Sequence, residues 1–146
     1  MADPLAVLLP SSPDPRHLAA LAAARDLITC RATEGRHHVA ATLLTATGAY
    51  TAVNTDSVLG RAAICAEGIA VGMACAAEAG AEIVFAVAVN RRLEIIPPCG
   101  ICRELLLDYG PGARIGLADP SGNVDMMTVA LAELMPHAYK AGRRGV

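Results

Sequence analysis

A three-layer α/β/α sandwich built on a mixed five-stranded sheet is the fold this sequence predicts, and three observations carry that expectation. Residues 83–89, Ile-Val-Phe-Ala-Val-Ala-Val, form a continuous apolar run of strand length. A strand covered on both faces reads this way, so the run marks the centre of the sheet. Residues 39–45 and 49–53 are two strand-like stretches on either side of Ala46-Thr47-Gly48, a hairpin signal. After an N-terminal helix, the patterns follow the order strand, strand, helix, strand, helix, strand, strand, helix, which packs as three layers.

The chain opens with a proline-rich stretch, residues 1–15, expected to be an irregular arm. Asp14-Pro15 then supplies a cap and a first-turn proline for a helix over 16–30. Leu18, Leu21, Ala22, Arg25 and Ile28 recur there at helical spacing, with Cys30 as buried packing. In the hairpin, Gly48 stands where a positive φ is needed. Residues 54–63 are polar and bear a glycine, a connection that delivers the chain to Cys65. The small apolar residues 66–79 read as a helix ended by Gly80, and Cys75 falls on its core side. Residues 90–97 connect the central strand to a helix over 99–109, stopped by Gly110-Pro111-Gly112. Strands over 114–118 and 124–128 flank the turn Asp119-Pro120-Ser121-Gly122, and a short helix over 129–134 closes the series. With no internal repeat or low-complexity linker, 146 residues suit one domain spanning 1–146.

Composition excludes several classes of function. The net charge is −2 with no basic tract, so there is no electrostatic footprint for nucleic acid. Aromatic residues are 3% of the chain (Tyr50, Phe85, Tyr109, Tyr139), too few for a platform on which single-stranded bases stack. Alanine raises the apolar fraction to 54%, yet no apolar run reaches the length of a membrane span. The start lacks the basic region of a signal peptide. Five cysteines is an odd number and the closest pair has metal spacing, which argues against a disulfide framework and for a soluble, cytoplasmic protein.

Two short stretches carry the chemistry: Cys65-Ala66-Glu67 and Pro98-Cys99-Gly100-Ile101-Cys102-Arg103. Three thiolates fill three corners of a tetrahedral zinc site, and a catalytic zinc keeps its fourth corner for water. Cys99 and Cys102 are three apart, so on the first turn of a helix both sulfurs can face one ion, and Pro98 before them suits a helix start. Cys65 begins the next helix inward in sequence, and Glu67, two residues on, can reach a water beside the metal without displacing it. Three thiolates leave Zn²⁺ with an excess negative charge, which makes water a poorer acid. Two helix N-termini aimed at the sulfurs offset part of this, and Arg103 is positioned in sequence to donate to a sulfur. A solvated surface arginine is the plain alternative.

These motifs match, at every fixed position, the Cys-Ala-Glu and Pro-Cys-Gly-x-Cys-Arg halves of the zinc-dependent cytidine deaminase superfamily. Over residues 36–139 the chain resembles the short homotetrameric cytidine deaminases and, in His37-His38-Val39-Ala40, the blasticidin S deaminases. The resemblance implies one zinc per chain, held by Cys65, Cys99 and Cys102. It also implies a reaction in which activated water attacks C4 of a cytosine ring while Glu67 carries protons to N3 and to the departing ammonia. The implied substrate is cytidine or deoxycytidine, or a modified cytosine nucleoside or antibiotic such as blasticidin S. Asn54 and Asp56 match the asparagine and glutamate that hold the sugar hydroxyls in the nucleoside enzymes, although the acid here is shorter. Ala66, beside the ligand, and His37, where those enzymes carry a phenylalanine, complete the implied substrate contacts on this chain. Tyr139, in Leu134-Met135-Pro136-His137-Ala138-Tyr139, corresponds to an aromatic that a neighbouring subunit contributes.

Each assignment competes with a plainer one. The cysteines could be a redox Cys-x-x-Cys pair, or a closed structural site completed by Cys30, Cys75, His37 or His38. Glu67 could be a solvated first-turn residue, Asn54 a turn cap, and Asp56 and His37 surface or packing residues; Tyr139 could pack on its own chain. Outside enzymes, the alternative is a zinc-bearing scaffold without catalysis, which requires a broken chemical position; none is found.

Overall fold

A computed structural model describes residues 10–139. The arm expected over 1–15 falls largely outside the described residues. Its visible end is not free, since Ser11 exchanges two backbone hydrogen bonds of 2.9 Å with Thr128. The first helix, α1, spans Pro15–Arg31; the Asp14 carboxylate accepts the His17 N–H and the His17 ring accepts the Asp14 N–H, a reciprocal cap. α1 buries Ala20, Leu21, Ala24 and Ile28, whereas Leu18 is 49% exposed. The buried stripe is thus rotated toward the alanines, which let the helix lie close on the sheet. Cys30 is exposed rather than buried, one residue from the helix end.

β1 (Val39–Leu44) and β2 (Ala49–Val53) form the expected antiparallel hairpin. Gly48 is not needed there for a positive φ. A Cβ at Gly48 would meet the Glu78 carboxylate and the Tyr50 ring, so what a side chain here would require is that these two give way. That carboxylate accepts from Tyr50 at 2.6 Å and Thr45 at 2.8 Å. Glu78 is extended (φ −126°, ψ 121°), and α2 (Ala66–Ala77) stops two residues short of the expected end, with Gly80 (φ +69°) inside the turn that follows.

β3 (Phe85–Asn90) is the central strand: the sheet order is β2-β1-β3-β5-β6, where β5 is Arg114–Ala118 and β6 is Met126–Ala130. The connection after it hides a sixth strand, β4 (Ile95–Ile96), which folds back on Ala88 and Val89. Asn90 makes the reversal, its side-chain oxygen accepting the N–H groups of Arg92 and Glu94. Two residues give no readable strand pattern. α3 (Gly100–Tyr109) leads to β5 (Arg114–Ala118), parallel to β3, and β6 (Met126–Ala130) returns antiparallel. β6 starts two residues later than expected because the Asp119 carboxylate accepts the N–H groups of Ser121, Asn123 and Val124 and holds them in the loop. The closing helix is a 3-10 turn, Leu131–Leu134, rather than 129–134.

One face of the sheet packs Phe85, Val87, Val89 and Leu44 against α1; the other packs Leu43, Ala86 and Ile115 against Val71 and Ala74 of α2 and Leu106 of α3. The result is the predicted three-layer arrangement. No described helix is long and apolar enough to cross a membrane. Cys75, expected in the core, is exposed on the outer face of α2.

Candidate metal centre and active site

Both motifs lie where a helix begins. Cys65 is the N-cap of α2 and Cys99 the N-cap of α3, and Cys102 sits in the first turn of α3. The three Sγ atoms lie within 4.8 Å of one another, with Cys65 and Cys99 3.7 Å apart. A tetrahedral zinc with Zn–S bonds of about 2.3 Å requires sulfurs about 3.8 Å apart, so the set fits the ion. No fourth His, Cys or carboxylate among the described residues joins the cluster, which leaves a corner open. Cys30, Cys75, His37 and His38 stand elsewhere, and all five cysteines are free. The closed structural site completed by one of those residues therefore has no support among the described residues.

Position explains the electrostatics. Burial pushes the Cys65 and Cys102 thiols above their ordinary value. Burial works the same way on Cys99, but the Cys102 N–H (3.5 Å from its sulfur) and the neighbouring thiols outweigh it and bring Cys99 below the usual thiol range. The unpaired N–H groups of two helix N-termini favour negative charge here. Arg103 is placed otherwise than expected. Its Nε donates to the carbonyl of buried Pro98 at 2.8 Å and its Nη1 to the carbonyl of Leu134 at 3.1 Å, and neither bond goes to a sulfur. Arg103 thereby ties the ligand loop to the C-terminal segment, and Pro98 takes part through its carbonyl.

Beside the thiols opens a cleft of about 220 Å³ lined by Val39, Asn54, Ile64, Cys65, Glu67 and Ile96 among others. Ala66 lies in the wall and is fully buried. Glu67 is 5% exposed, and burial pushes its carboxyl above the ordinary range, so it holds a proton more readily than a surface glutamate. The solvated reading of Glu67 is thereby excluded. Asn54 reaches the cleft, but His37 and Asp56 do not line it. The His37 ring meets the Asn54 backbone carbonyl at 2.7 Å. Asp56 lies 3.4 Å from His38 and accepts the Ser57 N–H. Tyr139, 78% exposed, is outside the cleft of its own chain. Sequence reasoning missed Ile64, Ile96 and Pro97 as walls of the cleft. Ile96-Pro97 directly precede the second motif, and that adjacency was the available signal.

A buried carboxylate beside a three-thiol cluster, on a mixed sheet between two helical layers, is the arrangement of a metal-dependent hydrolytic enzyme. No protein-family model matches the chain. It is 34% identical over 124 residues to the blasticidin-S deaminase of Bacillus cereus, an alignment that takes in 80% of this chain and 86% of that protein. The cytidine deaminase of Burkholderia pseudomallei superimposes with a TM-score of 0.69 at 27% identity, over 84% of this chain and 98% of that one. That of Mycobacterium tuberculosis shares the fold, with a TM-score of 0.71 at 22% identity over 88% and 100%. The chain belongs to the short zinc-dependent cytidine and blasticidin-S deaminase superfamily.

Proposed function

We propose that this protein hydrolytically deaminates the cytosine ring of a modified nucleoside or nucleoside antibiotic such as blasticidin S, with one zinc per chain. The observation that carries this reading is the pairing of a complete catalytic set with 34% identity to a blasticidin-S deaminase, against 27% and 22% to the two cytidine deaminases. Deamination of cytidine itself is the second reading, favoured by the structural likeness to the Burkholderia pseudomallei enzyme.

Cys65, Cys99 and Cys102 would hold the zinc, which when bound makes water ionise near neutral pH. The remaining chemistry belongs to the chain. Replacing the C4 amine by oxygen consumes one water and releases ammonia: of the two protons of that water, one ends on N3 and one on the leaving nitrogen, while the C4–N bond breaks as the C4–O bond forms. Glu67 is the carboxylate in the cleft; its raised affinity for protons suits a group that takes one from water and returns it to the ring. Val39, Ile64 and Ile96 give the ring apolar walls. We further propose a homotetramer in which Tyr139 covers a neighbour's cleft; the exposure of Tyr139 and of Gly72, Met73 and Ala76 on α2 supports this. The test is ammonia release by the zinc-loaded protein from cytosine, cytidine, deoxycytidine, cytidine monophosphate and blasticidin S. Blasticidin S should give the highest kcat/KM; release from none of them would end the proposal. Light scattering should return four times the chain mass.

A further inference from the structure

The exposed side of α3 carries a charge pattern that the helix does not balance from its own residues. Gly100, Glu104 and Asp108 follow one another at four-residue steps and form one ridge, with Ile101 and Leu105 as the ridge beside it. Together these five residues line an open groove of about 520 Å³, in which Ile101 is 80% exposed. Two carboxylates at i and i+4 repel one another. Asp108 also stands in the last turn, where the helix carbonyls favour positive charge, and that turn has no basic residue. The one cation of the helix, Arg103, is committed to the carbonyls of Pro98 and Leu134. A groove apolar along one ridge and doubly acidic along the other suits a basic stretch of chain with small residues between its cations.

The chain itself contains such a stretch. Residues 140–146, Lys-Ala-Gly-Arg-Arg-Gly-Val, lie beyond the described residues and hold three cations and no acidic side chain. The bond of 3.1 Å from Arg103 to the Leu134 carbonyl brings the approach to this stretch beside α3, next to Glu104. From Leu134 the chain turns through Pro136 and His137 (φ +56°). Lys140 comes six residues after Leu134 and Arg143 nine, so the chain can span up to about 20 Å to the first and about 30 Å to the second. Along the helix, the step from Arg103 to Asp108 is only roughly 7.5 Å. The cations therefore reach both acids with slack left for the turn.

We propose that this groove is the docking site for residues 140–144 of the same chain, with Lys140, Arg143 and Arg144 against Glu104 and Asp108, and the small Ala141 and Gly142 over Ile101 and Leu105. Charge complementarity selects the class of occupant, and tethering selects this chain's own segment: it is held beside the groove at a high effective concentration, which a separate basic peptide lacks. Cations in this place neutralise the repulsion between the two acids and meet the carbonyl end of α3. Contacts of this kind are screened by salt. The inference is independent of the deaminase reading, because neither the groove nor the segment includes a residue of the cleft or a metal ligand.

The experiment is limited trypsin digestion of the full-length, zinc-loaded protein at low salt, with cleavage after Lys140, Arg143 and Arg144 followed by mass. Glu104→Gln/Asp108→Asn should be cut there about 10-fold faster than wild type, the factor that two exposed charge contacts supply together. Arg143→Gln/Arg144→Gln leaves α3 untouched and should expose Lys140 to a similar degree, so the result does not depend on how well the α3 variant folds. Glu133→Gln, which changes an exposed acid outside the groove, should behave as wild type. Added salt should narrow the gap between wild type and Glu104→Gln/Asp108→Asn. Wild-type cutting rates in either folded double variant overturn the proposal. So does protection that disappears on dilution, which would seat the segment on a second copy, and so does protection lost equally in Glu133→Gln, which would make it an effect of net charge alone.

Discussion

The two walls of the cleft are built on opposite principles. On the metal side, Cys65, Cys99 and Cys102 come from two helix starts, and their sulfurs have one another and the Cys102 N–H for company. On the side proposed for the substrate, Asn54 lines the cleft, and His37, His38 and Asp56 stand behind it, bonded to it, to one another or to the backbone. The first wall gathers three sulfurs about one point; the second is tied to the backbone by its own hydrogen bonds. Chemistry and recognition are thus separable in this molecule, and substitutions on the two sides should differ in kind as well as in size.

The largest effect is expected from removing a sulfur. Cys102→Ala takes away the one buried ligand of the three, and a site with two ligands loses the ion along with the activity. Metal analysis after dialysis should find less than about a tenth of the wild-type zinc, since three protein ligands are the minimum seen in catalytic sites. Full retention of zinc would show that the cluster is not the metal site. Next in size comes Glu67→Gln, which keeps the volume of the side chain and cannot move a proton. Turnover should fall by about 10²–10⁴-fold with zinc retained. If turnover is unchanged, the carboxylate is a wall of the cleft and no more.

How far the sequence could be read follows the same division. The metal wall obeys local rules: an N-cap, a proline before it and a three-residue step place Cys99 and Cys102 on one helical turn, and β3 shows itself by an uninterrupted apolar run. The substrate wall depends on contacts between 36–38 and 54–56 that only the β1–β2 pairing creates. Nothing local says that Asp56 turns to His38 or that the ring of His37 is spent on a backbone carbonyl. Arg103 misled for a related reason, because the Leu134 carbonyl that it meets lies far along the chain. Loops held by side chains, such as Asp119 over 121–124 and Asn90 over 92–94, displaced β6 and concealed β4.

A pH experiment sharpens the comparison by separating the scaffold from both walls. His17 stacks on Phe85 with ring centroids 4.0 Å apart, on the α1 face of the sheet. Burial, with Arg114 and Arg16 nearby, outweighs Asp14 and holds its pKa below the ordinary 6.5. The folded state then binds its proton less readily than the unfolded state. Stability is fully present above the unfolded value of about 6.5 and declines as pH falls from there through the folded pKa. Denaturant melts between pH 7.5 and 5.5 should show this decline reduced in His17→Gln, which keeps an acceptor for the Asp14 N–H and does not titrate. An identical slope in the variant would place the acid sensitivity elsewhere, with metal release the first candidate.

The smallest effect is the one that decides whether the two walls are separate. If Asp56 held a sugar, as the resemblance to the nucleoside enzymes implies, Asp56→Ala would raise KM for a nucleoside far more than for free cytosine. The structure has Asp56 in a half-exposed pair with His38 instead, its side chain 40% and that of His38 31% accessible. Pairs of that exposure contribute about 0–1 kcal/mol. Asp56→Ala should therefore change kcat/KM for cytidine by no more than about 5-fold, with the same factor for free cytosine, because what it loosens is the 36–38 segment that carries the Asn54 contacts. A selective loss on the nucleoside would put Asp56 in contact with the sugar and show that the two walls are not separate.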